Sequence, residues 1–191
     1  MLIFETRCKV KKVGVNSVEY NGYGYKVVLV DIGNIQDFHA FIPVKRNVEV
    51  GDCLNISNCS LTNYKMEDGT ETLAIRVEAF TKVDEQEFEP VEEFRVKVNG
   101  SVMRTERSQV KYIGPVKKPL LKATLRVFNE NRKMFNILLV GYCKSVKILE
   151  EIENGRYIDC EAVLKTQSKN KKHKYAYQLN IENFKYIQKG E

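Results

Sequence analysis

The chain has no tryptophan, only two histidines, and cysteines that do not cluster. The five cysteines are Cys8, Cys53, Cys59, Cys143 and Cys160. Zinc sites need grouped cysteine and histidine ligands, so no metal site is expected. The two histidines, His39 and His173, fall one in each half and leave little for a histidine-based general base. GxSxG, Walker A and HExxH motifs are also absent, so we expect neither catalysis nor a cofactor.

Long hydrophobic runs are absent too. The longest, at residues 27–30 and 137–140, are of strand length, whereas a membrane helix needs roughly 20 apolar residues. The opening MLIFETRCKV mixes acid and base and has no small-residue cleavage site, so no signal peptide is expected. These features predict a cytoplasmic protein without membrane association. Cys8, Cys53 and Cys160 lie in alternating patterns and are predicted to be small buried apolar residues.

The net charge of +6 is divided unequally along the chain. Residues 1–90 carry 10 Lys and Arg against 14 Asp and Glu, a net of −4, whereas residues 91–191 carry 21 against 11, a net of +10. This asymmetry indicates a polyanionic partner for the basic half. A solvated basic surface without a partner would give the same net charge. The positions of the cations must therefore distinguish between these two explanations.

The first half is predicted to form five strands joined by short turns. Residues 4–15 alternate in the period-2 pattern of a half-buried strand. Further strands are predicted at residues 25–32, 38–44, 53–65 and 72–83, with turn signals between them that include Asn21–Gly22 and Asp68–Gly69. Five strands without a long helix predict a small antiparallel barrel.

The second half repeats this plan after an acidic stretch with Pro90, DEQEFEPVEE, which is interpreted as a linker. The predicted domains are residues 1–83 and 94–188. In the repeat, YKVVLVDI matches LKATLRVF, and DFHAFIPV matches MFNILLVG. The main difference is a helix predicted at residues 143–154, where Val146, Leu149 and Ile152 recur at three-residue steps before Gly155.

Residues 94–187 resemble the bacterial single-stranded DNA-binding proteins and their primosomal relatives. The resemblance is carried by a strand ending at Asn99–Gly100, a basic loop before LKATLRVF, and MFNILLVGY running into a short helix. It continues in the helix end ENGRYIDCEAVL and in a last strand after a lysine-rich hairpin. The first half resembles an oligonucleotide-binding (OB) barrel only in strand order and in its VEVGD turn.

The resemblance implies an all-β protein of two tandem OB folds. Each would be a five-stranded antiparallel Greek-key barrel, with a short helix between strands 3 and 4 of the second. The implied function is sequence-independent binding and protection of single-stranded DNA in replication, recombination or mobile-element transfer. Implied partners are single-stranded DNA and replication or recombination proteins. A homodimer would give the four barrels per assembly that are common in that family.

Two departures from the family qualify this expectation. Without tryptophan, stacking on bases would fall to phenylalanine and tyrosine. The chain ends FKYIQKGE, so recruitment through an acidic, phenylalanine-terminated tail is not expected. Two alternatives stay open. In one, an accessory protein of the primosome or of recombination uses its acidic barrel to bind a protein; in the other, the chain is an interaction module or an RNA-binding protein.

A single-strand binder needs cations along the phosphates and aromatic faces for the bases. OB barrels place them over strands 2 and 3, between the loops joining strands 1–2 and 4–5. The candidates in the second half are Arg104, Arg107, Lys111, Tyr112, Lys122, Arg126, Phe128, Phe135, Lys169, Lys171, Lys172, Lys174, Tyr175 and Tyr177. Tyr23 and Tyr25 are the candidates in the first half.

These candidates have structural alternatives. The lysine run at residues 169–174 would also suit a merely solvated loop. Phe135 lies in a strand that is apolar on both faces, so core packing explains it equally well. Tyr175 and Tyr177 are accounted for by the preference of tyrosine for strands, and the tyrosines near the Asn21–Gly22 turn by packing at the barrel edge.

Overall fold

The computed structural model describes residues 2–20, 22–105, 108–128, 134–166 and 177–187; of Asn16 it describes the backbone only. The chain divides into two compact units: one is Ile3–Phe94, and the other comprises Leu2 and the described residues from Arg95 onward. No helix among the described residues is long and apolar enough to cross a membrane. The same residues contain no group of three or more His, Cys, Asp and Glu side chains suited to a metal ion.

The first unit is a closed five-stranded barrel, as predicted. Its strands are β1 Phe4–Tyr20, β2 Tyr23–Ile32, β3 Ile35–Pro43, β4 Cys53–Lys65 and β5 Glu71–Val83. The order β1-β2-β3-β5-β4 closes through an antiparallel β1–β4 pair and includes one parallel pair, β3–β5. Alternate residues face inward, so Val28, Val30 and Ile32 of β2 are fully buried.

Residues 84–94 are packed against the first barrel rather than forming a free linker. Phe94 is fully buried, with its ring centroid 6.1 Å from that of Phe4 and 5.3 Å from that of Phe38. Gly33 has a φ of +56°, and a Cβ there would meet the carbonyl oxygen of Val91 at 3.0 Å. Glycine is therefore required for the close approach. The first unit extends to Phe94, beyond the predicted boundary at residue 83.

The second unit has the same strand order and one added strand. Its elements are β6 Arg95–Met103, β7 Lys111–Ile113, β8 Lys118–Phe128, β9 Met134–Tyr142, α1 Ser145–Glu151, β10 Tyr157–Thr166 and β11 Tyr177–Tyr186. The sheet order is β6-β10-β11-β9-β8-β7, and an additional β6–β8 pairing closes the five strands β6, β10, β11, β9 and β8 into a ring. Strand β7, which was not predicted, adds to β8. The helix lies between the third and fourth barrel strands, which confirms the predicted fold.

Helix α1 is shorter than the predicted 143–154. The three apolar positions that predicted it are buried: Val146 and Leu149 lie within the helix and Ile152 directly after it. The helix follows β9 closely because Gly141 leaves room for it. A Cβ at Gly141 would lie 2.7 Å from the carbonyl oxygen of Ser145. The periodicity thus identified the buried face correctly but not the ends of the helix.

The parallel ladders correct the predicted matching of the two halves. The central pairs are Ala40 with Ile75 and Leu139 with Leu179. If these pairs are equivalent, the neighbouring ladders make Val28 equivalent to Ala123. The matching of YKVVLVDI with LKATLRVF sets Val28 against Thr124 and is wrong by one residue. A shift of one residue moves every side chain to the opposite face of the strand.

The buried positions predicted for Cys8, Cys53 and Cys160 are confirmed, and Cys59 is buried as well. Burial raises the pKa of the Cys8 and Cys160 thiols to about 12, and it also raises the pKa of Cys59. Cys143 is half-buried.

Cys143 is expected to react first with iodoacetamide in the folded protein near neutral pH, because the thiolate is the reactive form and must be accessible. Peptide mass spectrometry after a time course should find modification at Cys143 well before the other four. Those four should react only after urea is added. Equal early labelling of Cys8 or Cys160 would contradict the buried environments described above.

Candidate nucleic-acid interface

The outer face of β8 carries the cations predicted for a groove floor. Leu121, Ala123, Leu125 and Val127 point into the barrel and are at most 4 % exposed. The intervening side chains therefore point outward: Lys122, Thr124, Arg126 and Phe128. The predicted alternation of this strand is confirmed.

Strand β9 completes this face. Its ladder sets Lys122 opposite Val140, Thr124 opposite Leu138, Arg126 opposite Asn136 and Phe128 opposite Met134. Phe128 and Met134 are 42 % and 49 % exposed, so they form an apolar platform at one end. At the other end Tyr142 is exposed, with the Lys118 Nζ 6.0 Å from its ring centroid. Neither strand contains an acidic residue.

The two cations in the middle of this surface have no anionic partner within the chain described. Lys122 is exposed, and Arg126 is half-buried opposite Ser101 and Asn136. The Nε of Arg126 is buried and has no hydrogen-bond partner among the described residues. Both positive charges are therefore uncompensated by carboxylates of the described chain. An external anion is the complement of such a pair.

A short exposed hairpin extends the surface beyond β8. Strand β7 pairs with the start of β8 through Lys111–Leu120, Tyr112–Pro119 and Ile113–Lys118. Every residue from 111 to 118 is exposed, and Tyr112 is 68 % exposed. The turn is made possible by Gly114, whose φ is +71°. The hairpin thus adds a free aromatic ring and further lysines next to Tyr142.

Arg104 is held away from this surface. Its guanidinium donates hydrogen bonds to the carbonyl of Leu149 and, at 2.5 Å, to that of Ile152. Its backbone N–H donates to the Asn154 Oδ1 at 2.7 Å. These carbonyls are at the C-terminus of α1, where a cation is favoured by the helix dipole. The contacts give Arg104 a structural role at the end of the helix.

Three of the candidate aromatic residues are in protein interiors. Phe135 and Tyr177 are 5 % and 9 % exposed in the second unit, and Tyr25 is 8 % exposed in the first. These three rings pack against neighbouring side chains, as the structural alternatives predicted. They are therefore not available for stacking on a base. Tyr23, by contrast, is 69 % exposed.

Six candidates lie outside the described residues: Arg107, Lys169, Lys171, Lys172, Lys174 and Tyr175. Their role in the groove stays a prediction. Two residues of the face, Tyr142 and Met134, were not among the candidates. The antiparallel register would have indicated them, because they are opposite Leu120 and Phe128 at the two ends of the ladder.

The first barrel has different chemistry on the corresponding face. With Val28 equivalent to Ala123, the counterparts of Lys122, Thr124 and Arg126 are Val27, Leu29 and Asp31. Hydrophobic side chains and a carboxylate replace two cations and a threonine. The cationic face is therefore a property of the second barrel alone.

Comparison with known proteins finds similarity in structure only. No family model and no curated protein matches the sequence. The structure of the single-stranded DNA-binding protein from Thermus aquaticus is similar at a TM-score of 0.62 and 10 % identity, over 99 % of this chain and 95 % of that chain. A deletion mutant of the same protein gives a TM-score of 0.57 at 10 % identity, over 98 % and 84 %. Together with the two barrels described above, this similarity establishes that the chain has the tandem OB fold.

Proposed function

We propose that this protein binds single-stranded DNA without sequence preference and that the outer face of β8 and β9 is its principal binding surface. The observation that carries the proposal is the placement of Lys122 and Arg126 on a face without acidic residues. Exposed aromatic rings lie at both ends of that face, Phe128 at one and Tyr142 at the other. This is the combination that a single-strand binder requires.

The cationic and the aromatic side chains would contact different parts of the single-stranded DNA. The ammonium and guanidinium groups neutralise phosphates and release counterions. Phenylalanine and tyrosine rings stack on bases, and stacking tolerates any base because every base has a π-face. Strand β8 is roughly 33 Å long at about 3.3 Å per residue, which is room for several nucleotides.

The fold supports the same location. OB barrels bind oligonucleotides over strands 2 and 3, to which β8 and β9 correspond. The protein from Thermus aquaticus that shares this fold is itself named for single-stranded DNA binding. We further propose, from the resemblance in the sequence, a role in replication, recombination or mobile-element transfer.

The proposal is tested by titrating the full chain with fluorescent oligo-dT, oligo-rU and a duplex of equal length. If Lys118, Lys122 and Arg126 of β8 each contact one phosphate, a rise from about 50 to 200 mM salt should weaken oligo-dT binding by about 20-fold. Each contact on a single strand contributes about 0.7 to the slope of log affinity against log salt concentration. Binding to duplex should be much weaker. Equal affinity for duplex, or an affinity insensitive to salt, would reject the proposal, and preference for oligo-rU would reassign the ligand to RNA.

A further inference from the structure

The first barrel has a groove of about 430 Å³ on the outer side of β2 and β3. Val27 and Leu29 of β2 and His39 of β3 line it, together with residues 12–15 of β1 and Tyr64 of β4. Burial lowers the pKa of His39, although the carboxylate of Asp37 opposes the shift. The imidazole is therefore neutral at physiological pH, and the groove between β1 and Tyr64 is largely apolar.

The groove lies on the face that corresponds to the cationic face of the second barrel, but its charges are unsuited to phosphate. Asp31 takes the position of Arg126, and its Oδ1 accepts a hydrogen bond from the backbone N–H of Asp37 at 3.1 Å. Asp31 and Asp37 thus lie next to each other. Asp31 is two residues after Leu29 in the sequence, and Asp37 is two residues before His39. Lys11 pairs with Asp31 at 3.4 Å. Lys12, which is exposed, is the one lysine among the described residues that line the groove, so the cations of a partner would have to face Asp31 and Asp37 rather than this part of β1.

Part of the same face is covered by the end of the β1–β2 hairpin. Val18 and Tyr20 pack against a buried cluster formed by Tyr25, Phe41 and Ala74. The guanidinium of Arg76 lies 5.0 Å from the centroid of the Tyr20 ring. The remaining groove is consequently short. It suits one or two inserted side chains better than a path of several nucleotides.

Strand β1 also has a free edge beside the groove. It pairs with β4 only from Phe4 to Lys9, and its pairing with β2 uses the opposite edge. Beyond Val10, which is hydrogen-bonded to Gly51 and Asp52, no strand among the described residues pairs with this edge. An irregularity between Val13 and Ser17 leaves the Val15 side chain fully exposed. Free edges are templates for an added strand.

We propose that the groove receives an extended segment of a protein partner, which adds a strand to the free edge of β1 and places apolar side chains on Val27 and Leu29. The partner segment is basic between its apolar positions. Residues 3–94 carry 10 Lys and Arg against 16 Asp and Glu, a net of −6, so a basic segment is the electrostatic complement of this unit. This interaction is independent of DNA binding by the second barrel.

The test begins with a phage-displayed library of random peptides, about twelve residues long, selected on the full chain. Selected sequences should alternate apolar residues with Lys or Arg. In fluorescence polarisation, Val15→Asp and Val27→Asp should each weaken binding of a selected peptide by about tenfold or more. Val50→Asp is the matched control, because Val50 is also exposed, at 67 %, but does not line the groove. Val15 has no buried contacts to lose, so its variant should fold normally.

Two further measurements show whether the groove binds a protein segment or nucleic acid. Hydrogen exchange should show protection of the β1 amides at residues 11–15 when the peptide binds, as strand addition requires. Oligo-dT affinity should be unchanged in Val15→Asp. Failure to select such peptides, binding that Val15→Asp leaves intact, or binding without protection of β1 would overturn the proposal. So would a loss of oligo-dT affinity in this variant, which would assign the groove to nucleic acid.

Discussion

Replacing Lys122 and Arg126 together with glutamate is expected to lower the affinity of the full chain for oligo-dT by about 100-fold at low salt. Each charged contact contributes about 1.5 kcal/mol or more, and two are lost. The new carboxylates would also repel phosphates on a face that has no acidic residue now. The slope of log affinity against log salt should fall by about 1.4, because each phosphate contact contributes about 0.7. Fluorescence titration at several salt concentrations measures both quantities.

The matched control is the pair Lys45→Glu and Arg46→Glu, which changes the formal charge equally at two exposed positions of the first barrel. An equal loss of affinity in this control would mean that net charge, and not the β8–β9 face, determines binding. Arg126 is half-buried, so its substitution could also disturb the fold. Lys122 is exposed, so Lys122→Glu alone should leave the fold intact. Thermal unfolding of each variant shows whether a loss of affinity comes from a lost contact or from a destabilised fold.

The outward face of β8 could be predicted from the sequence because period-2 alternation follows directly from strand geometry. The inward positions are all apolar, and Lys122 and Arg126 fall between them. For β9 the same reasoning fails, since apolar residues occupy both faces. Leu138 and Val140 alternate with Ile137 and Leu139, and only the ladder with β8 shows that Phe135 points inward.

Arg104 makes a long-range contact that could not be predicted from the sequence. Its position in a basic loop predicted a groove residue, but its guanidinium binds carbonyls at the end of a helix that lies more than forty residues later in the chain. Local sequence contains no signal for such a contact. The one-residue error in matching the halves has a related origin: Val27 to Val30 form a continuous apolar run, so period-2 alternation does not show which residues of β2 point inward.

The two barrels share one topology but present opposite chemistry on the same face. In the second barrel that face bears cations and exposed rings, which suits a polyanion. In the first, Val27 and Asp31 occupy the equivalent positions, and the hairpin end with Tyr20 covers part of the surface. The corresponding surfaces thus differ in charge in the same direction as the two halves of the sequence, which supports a division of labour between the barrels.

Phe94→Ala is expected to lower the free energy of unfolding of the first barrel by about 3–5 kcal/mol, the usual cost of truncating a buried phenylalanine. The ring is fully buried between Phe4 and Phe38, although the sequence placed it outside the first domain. The ion pairs Arg7–Glu89 and Lys9–Glu85 also hold residues 84–94 to this barrel. Exposed pairs contribute little to stability, so the ring should carry most of the attachment.

Hydrogen exchange of the full chain in increasing urea would measure this effect for each barrel separately. Protection of β1 to β5 should collapse at lower urea in Phe94→Ala, while β6 to β11 keep their midpoint. Phe128→Ala is the matched control, since that ring is 42 % exposed and its loss should leave both midpoints nearly unchanged. If Phe94→Ala behaves like this control, residues 84–94 are a linker after all. If it destabilises the first barrel as expected, a fragment that ends at residue 83 lacks part of its own core and should be extended through Phe94 before its stability or binding is measured.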